Sequence, residues 1–185
     1  MKLKILMLVF VLCCWKLYSL SSDWEWGVSA GGIGWDAGNS IVVDSAGYSY
    51  VTGFFSGSAV FGDIALESNG EQDLFIGKLD SNGDWVWVES AGGEEKSSGK
   101  EVAVDSNNDI FLTGFFSGTV EFGDISLTSA GYRDMFVAKL NQDREWLWAE
   151  RGGGSSNDYG FSIVVDNNDN LVVTGRFYDD ASFGN

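Results

Sequence analysis

Apolar and polar positions along the chain fall into short strand-like patterns. Ser40 to Asp44 (SIVVD) is a brief apolar run, Tyr48 to Phe55 (YSYVTGFF) is a second, and the turn Ser45-Ala46-Gly47 separates them. Ala59 to Ser68 (AVFGDIALES), Asp73 to Leu79 (DLFIGKL) and Asp84 to Ser90 (DWVWVES) follow, the last preceded by the turn Asp80-Ser81-Asn82-Gly83. None of them holds a 3.6-residue apolar period, so each predicts a strand or hairpin rather than a helix. Asn, Asp and Gly in the turns suit the positive φ angles of tight hairpins. In DWVWVES, alternation points Trp85 and Trp87 to one face and Val86 and Val88 to the other. Both sets are apolar, so such a strand calls for cover on both faces of its sheet.

The pattern then repeats with a period of 61 residues. Asp44, Asp105 and Asp166 close the runs IVVD, VAVD and IVVD. The same offset links Trp24, Trp85 and Trp146, and likewise Trp26, Trp87 and Trp148. It links Gly53, Gly114 and Gly175 of the Thr-Gly pairs, and the Phe-Gly pairs at 61–62, 122–123 and 183–184. Residues 23–83 and 84–144 are identical at 28 of 61 positions, with no gap. These recurrent residues read as the structural skeleton of a tandem array. The chain divides into a leader at 1–22 and copies at 23–83, 84–144 and 145–185, the last one truncated.

Strands apolar on both faces, repeated at a fixed period, predict an all-β β-propeller with one four-stranded antiparallel blade per copy. A β-solenoid is the rival, but its coils are shorter. The period exceeds that of a WD40 blade, and AVFGDIALES supplies the excess as a hairpin arm. About 2.7 copies make an incomplete, open propeller, since four blades of this size would take about 244 residues. The chain is thus expected to be a fragment of a larger propeller, or a subunit that self-associates through open blade edges.

The run SIVVDSAGYSYVTGFFSGSAVFGD, followed by DLFIGKLDSNGDWVWVESAGG, resembles the bacterial SBBP β-propeller repeat family. The order is the same: a VDS turn, a TG-aromatic strand, an FG, a D-x-F-x-x-KL strand and a tryptophan strand ending in GG. The likeness covers residues 23–185. It departs in the third copy, where Arg176 replaces Phe54 and Phe115, and Asn185 replaces Asp63 and Asp124. The resemblance implies a secreted or surface-exposed propeller and carries no catalytic residues.

Met1 to about Ser22 reads as a secretory signal peptide. Lys2 and Lys4 precede an apolar run, Ile5 to Trp15, and Ser19-Leu20-Ser21 offers small residues for cleavage. The run is shorter than the roughly 20 residues of a membrane span. Cleavage would remove both cysteines, Cys13 and Cys14, so the mature chain has no disulfide to form. It would leave eight basic against 27 acidic residues, a net charge of −19 against −16 for the whole chain. Such a surface is soluble, repels anionic membranes and has few groups to neutralise nucleic-acid phosphates. The chain has no histidine, which excludes Ser-His-Asp and Cys-His catalysis.

Candidate sites are few. Asp80-Asn82-Asp84 and Asp105-Asn107-Asp109 place oxygen ligands as at the start of a calcium loop. The glycine at position 6 and glutamate at 12 are missing, so turn chemistry is the first reading and Ca2+ the second. Gly93 to Lys100 (GEEKSSGK) fails as a phosphate loop, with Glu94 at the first glycine and Glu101 in place of Ser/Thr. The tryptophans recur in every copy, which suits packing between blades better than a sugar or quinone platform. Lys78 and Lys139, at one register, are expected to pair with a carboxylate such as Asp73 or Asp134. No catalytic or cofactor-binding constellation stands out. The expected function is a secreted or cell-surface, non-enzymatic binding or scaffold module with a protein or glycan partner. The alternative is part of an extracellular propeller enzyme acting on glycans, its site in other blades. Copy-specific residues, among them Trp35, Tyr132, Arg133 and Tyr159, are where a site would show.

Overall fold

A computed structural model describes residues 26–184. The predicted leader with Cys13 and Cys14, Trp24 and Asn185 lie outside the described residues. Every regular element described is a β-strand. β1 (Ala30–Gly32) leads to β2 (Ala37–Val43) and β3 (Ser49–Phe55). A hairpin of β4 (Ser58–Phe61) and β5 (Ile64–Glu67) precedes β6 (Asp73–Leu79) and β7 (Trp85–Ala91). β2, β3, β6 and β7 pair in that order, all antiparallel. The plan recurs as β8 (Ser97–Val104), β9 (Ile110–Phe116), the hairpin β10 (Thr119–Phe122) and β11 (Ile125–Thr128), β12 (Asp134–Leu140) and β13 (Trp146–Gly154). β14 (Tyr159–Val165), β15 (Leu171–Arg176) and β16 (Ala181–Phe183) follow. The fold is all-β, with antiparallel propeller-type blades in an open arc. Each blade takes its fourth strand from the start of the next sequence copy, as β7 completes the blade begun at Ala37. A tandem repeat can be cut anywhere; the period sets blade size, and strand pairing sets its phase.

The turns form as their residues dictate. In the β2–β3, β8–β9 and β14–β15 turns, φ is +89° at Gly47, +63° at Asn108 and +60° at Asp169. The Phe-Gly pairs mark a second turn: Phe61 pairs with Ile64, and Gly62 between them has φ +61°. Glycine adopts that angle without steric cost.

The insert hairpin does form an arm, and its partner links neighbouring blades. β4 pairs with β1, setting Ala30 against Phe61 and Gly32 against Ala59. One period later Gly92 bridges Glu121. After another, Gly152 meets Phe183 and Gly154 meets Ala181. The Gly-Gly end of each tryptophan strand therefore leaves its own blade and clasps the arm of the next.

The tryptophans correct a simple alternation. Trp85 opposes Leu79 and Trp87 opposes Lys78, so Val86 is an extra residue in a β-bulge. The bulge sends the two rings to opposite faces, because one extra residue inverts the pleat. Trp85 packs with Phe61, Leu79 and Val88, at 5.2 Å from the Phe61 ring. Trp87 joins the cluster between the two four-stranded blades, beside Tyr50 at 6.3 Å. Trp146 and Trp148 split in the same way, toward Phe122 and Phe111 respectively.

Stacking shows in one register position. Ile41, Val102 and Ile163 are equivalent residues on β2, β8 and β14, and they are 43%, 3% and 2% exposed. Val102 and Ile163 pack onto a preceding blade, which Ile41 does not have among the described residues. The opposite gradient runs through Tyr50 and Phe111, both buried, to the exposed Val172.

Candidate functional site

All three blade-opening strands carry a bulge near their start, at Asn39, Lys100 and Phe161. Gly53 and Gly114 of the Thr-Gly pairs lie opposite, and a Cβ on either would sit within 2.0 Å of the facing carbonyl oxygen of Ala37 or Ser98. The recurrent glycines thus allow the backbones to close around the bulge. The bulge is constant while its occupant changes, and a bulge re-aims the side chain that it carries.

Around these positions lies a row of alternating rings and cations that crosses the copies. Trp35 meets Phe54 edge-on at 6.1 Å. Lys100 Nζ lies 6.0 Å from the Phe54 ring and 5.4 Å from the Phe115 ring. The Arg133 guanidinium stands 4.9 Å from the Phe115 ring, and its Nη1 donates to the Tyr159 hydroxyl at 3.0 Å. Tyr159 stacks on Phe161 with 12° between the planes. Arg176 closes the row, 5.2 Å from Tyr159 and 4.9 Å from Tyr178. Beside Arg133 opens a shallow groove of about 510 Å³, lined by Glu95, Ser117, Tyr132, Arg133, Asn157 and Tyr159. Tyr132 in its lining, and Trp35 at the far end of the row beside Phe54, are each three-quarters exposed.

Most described cations outside the row sit on carboxylates, although Lys78 lies over the Tyr48 and Tyr50 rings instead. Lys96 pairs with Glu71, Lys139 with Asp109, Arg144 with Glu89 and Arg151 with Asp134. Lys100, Arg133 and Arg176 form no ion pair with any described carboxylate, in a chain with 27 acidic residues. Burial, and then the charge of Arg133, hold the Lys100 ammonium below the ordinary lysine value. Lys100 and Arg133 both approach the Phe115 ring, and two like charges so placed repel, a cost that an anion against either would relieve. The copy-specific Trp35, Tyr132, Arg133, Tyr159 and Arg176 meet here. Lys100, Phe115 and Phe161 were not singled out from sequence; comparing Asn39, Lys100 and Phe161 across copies would have exposed the variable position.

The calcium candidates serve their turns. Asp80 Oδ1 accepts the amides of Asn82 and Asp84 at 2.8 and 3.0 Å, and Asp105 Oδ1 those of Asn107 and Asp109 at 2.9 Å each. Asp44 and Asp166 do the same. These bonds hold the Asp80 carboxyl below its ordinary value, with the Asp84 amide as the main cause. Asp109 is engaged by Lys139 at 2.7 Å. Among the described residues, no three acidic or cysteine side chains converge as a metal site would need.

The recurrent lysines differ from expectation. Lys139 pairs with Asp109 and Asp105 rather than Asp134, which takes Arg151 at 2.8 Å. Lys78 lies over the Tyr48 ring at 4.1 Å, because Tyr48 stands where the next copy has Asp109. Asp73 lacks the arginine as well, since Ser90 occupies the position of Arg151. Burial raises the Asp73 carboxyl above the ordinary range, against the lowering bonds from Asn69. A raised folded value stabilises the protein below the unfolded pKa of about 3.9, and that stability is lost as pH rises through the folded value. Asp73→Asn is therefore expected to match or exceed the parent in stability at pH 7, any gain shrinking towards pH 4. Asp134→Asn, which strands Arg151, is expected to lose about 2 kcal/mol. Urea titrations at both pH values check this, and equal losses from the two variants would refute it.

No family model matches the chain. It is 28% identical to an uncharacterized WD repeat-containing protein, L264, of Acanthamoeba polyphaga mimivirus, over a 114-residue alignment covering 52% of this chain. The alignment spans 8% of that protein, so the chain corresponds to a small part of the relative that it matches. A WD repeat relative accords with the propeller-type blades seen here. Likeness and architecture together suggest a repeat-based binding or scaffold module.

Proposed function

We propose that the chain is a secreted or cell-surface, non-enzymatic binding module of the SBBP-like propeller type, which presents the cation–aromatic row to its ligand. The observation that carries this is the convergence of copy-specific residues. Drift would scatter departures from the repeat, whereas Trp35, Tyr132, Arg133, Tyr159 and Arg176 lie along one strip. Lys100 and Arg133, without an ion pair among the described residues, give that strip the sign opposite to the protein as a whole.

Two measurements test the reading. Screened on immobilised glycans and peptides, the mature chain is expected to bind at least one class, and Arg133→Gln is expected to weaken that binding about tenfold with an unchanged melting temperature. Binding indifferent to Arg133, or release of new reducing ends from the glycans, would overturn it. Export rests on the n-region and apolar run of the leader. Expressed with that leader in a bacterium, the protein is expected outside the inner membrane with its N-terminus near Ser22 or Asp23. An intact Met1 terminus in the cytoplasm would exclude secretion.

A further inference from the structure

We infer that the groove beside Arg133 takes a carboxylated oligosaccharide, one with a single carboxylate per sugar and free hydroxyls between. The inference rests on the binding-module reading and deepens it. Lys100 and Arg133 form no ion pair among the described residues, and burial together with the charge of Arg133 lowers the proton affinity of Lys100. An anion in the groove against Arg133 offsets that repulsion. Arg133 already spends one N–H on the Tyr159 hydroxyl, which orients the guanidinium across the groove and leaves its other donors for a ligand.

The remaining lining decides what kind of anion fits. Glu95 lies in the groove with Ser117, Asn157 and Tyr159. Glu95 would repel a ligand of high charge density, such as polyphosphate or a nucleic-acid backbone, but it accepts hydrogen bonds from hydroxyls. Ser117 and Asn157 add short polar contacts of the type that sugar hydroxyls use. Ring faces make the next distinction. Those of Phe115 and Tyr159 already carry cations, while Tyr132 in the lining stands three-quarters exposed. A pyranose offers a flat face of C–H bonds to such a ring, much as the ring accepts a cation. A glutamate side chain has no such face, and an extended peptide would look for an open strand edge. β9 is paired on both sides, with β8 and β12, whereas β8, β14 and β15 each keep one unpaired edge among the described residues, so a peptide is the rival that the polyglutamate arm tests. A uronate-type sugar satisfies Arg133, the Glu95 acceptor and the exposed Tyr132 ring of the groove at once. The net charge of −16 limits the ligand to a short segment, because a long polyanion would meet repulsion beyond the row.

The test is titration calorimetry of the mature chain with oligogalacturonate of four to six sugars, the same oligomers fully methyl-esterified, and a polyglutamate of similar charge. Oligogalacturonate is expected to bind, and esterification to weaken it about tenfold by removing charge alone. Lys100→Gln and Arg133→Gln are expected to reproduce that loss, and rising salt to deepen it. Tyr132→Ala, at an exposed site in the groove lining, is expected to weaken the charged and esterified oligomers alike. Equal affinity for both forms, or tighter binding of polyglutamate, would overturn the carbohydrate assignment while leaving the face as a binding site if the variants still lose affinity. Failure of every probe to respond to Lys100, Arg133 and Tyr132 would overturn the site itself.

Discussion

Phe122→Ala is expected to cost about 3–5 kcal/mol of folding stability, the range for emptying a fully buried phenylalanine site. Phe122 belongs to the arm of the second blade and is completely buried. Its ring lies 5.1 Å from Phe136 and 5.0 Å from Trp146, so one side chain joins the arm to two strands of the same blade. Phe61 occupies the equivalent place in the first blade, 4.9 Å from Phe75 and 5.2 Å from Trp85, and Phe61→Ala should behave alike. Phe183 is the third member of the set. It retains the Phe177 contact at 4.8 Å but is 65% exposed. Phe183→Ala is therefore expected to cost less than about 1 kcal/mol. Chemical denaturation of the three variants checks the series. Equal losses at all three positions would mean that the repeat position, rather than burial, sets the energy.

That series also shows how far the sequence could be read. The Phe-Gly pairs, the Asn/Asp/Gly turns and the 61-residue period predict strands and blades, because turn chemistry and apolar runs act locally. Partner choice is a different matter. Nothing in AVFGDIALES reveals that its hairpin pairs with the Gly-Gly end of the strand that closes the preceding blade, since register there depends on backbone approach across blades. The tryptophans show a second limit. Trp85-Val86-Trp87 has a clean alternation, and the bulge at Val86 reverses it without any sequence mark such as glycine. The candidate site was legible only as scattered departures from the repeat. Its common strip emerges when the blades stack and bring residues from positions 35, 100, 133, 159 and 176 into one row. Lys78 and Lys139 illustrate the converse, identical residues at one register with different partners, because Tyr48 in one copy stands where Asp109 stands in the next.

The largest single-atom effect is expected at the inter-blade clasp. Gly93→Ala should destabilise the protein by about 3 kcal/mol, at the upper end of ordinary overpacking. A Cβ on Gly93 would sit 1.9 Å from the Thr119 carbonyl oxygen, a backbone atom that no rotamer change can move aside. Relief requires the arm to draw back, which breaks the 2.9 Å bond from the Glu121 amide to the Gly92 carbonyl. The same crowding recurs at Gly32 against Ser58 and at Gly154 against Asp180, at 1.8 and 1.9 Å, so the paired glycines are there for close approach. Two controls separate that cause from backbone preference. Gly47 faces open space but has a φ of +89°, and Gly47→Ala should cost about 1–2 kcal/mol through conformation alone. Gly27 has open space and no such φ, so Gly27→Ala should stay within about 0.5 kcal/mol of the parent. Thermal and urea unfolding of the three variants give the order. A Gly93→Ala protein as stable as Gly27→Ala would show that the clasp contributes little and that the blades hold together through their faces.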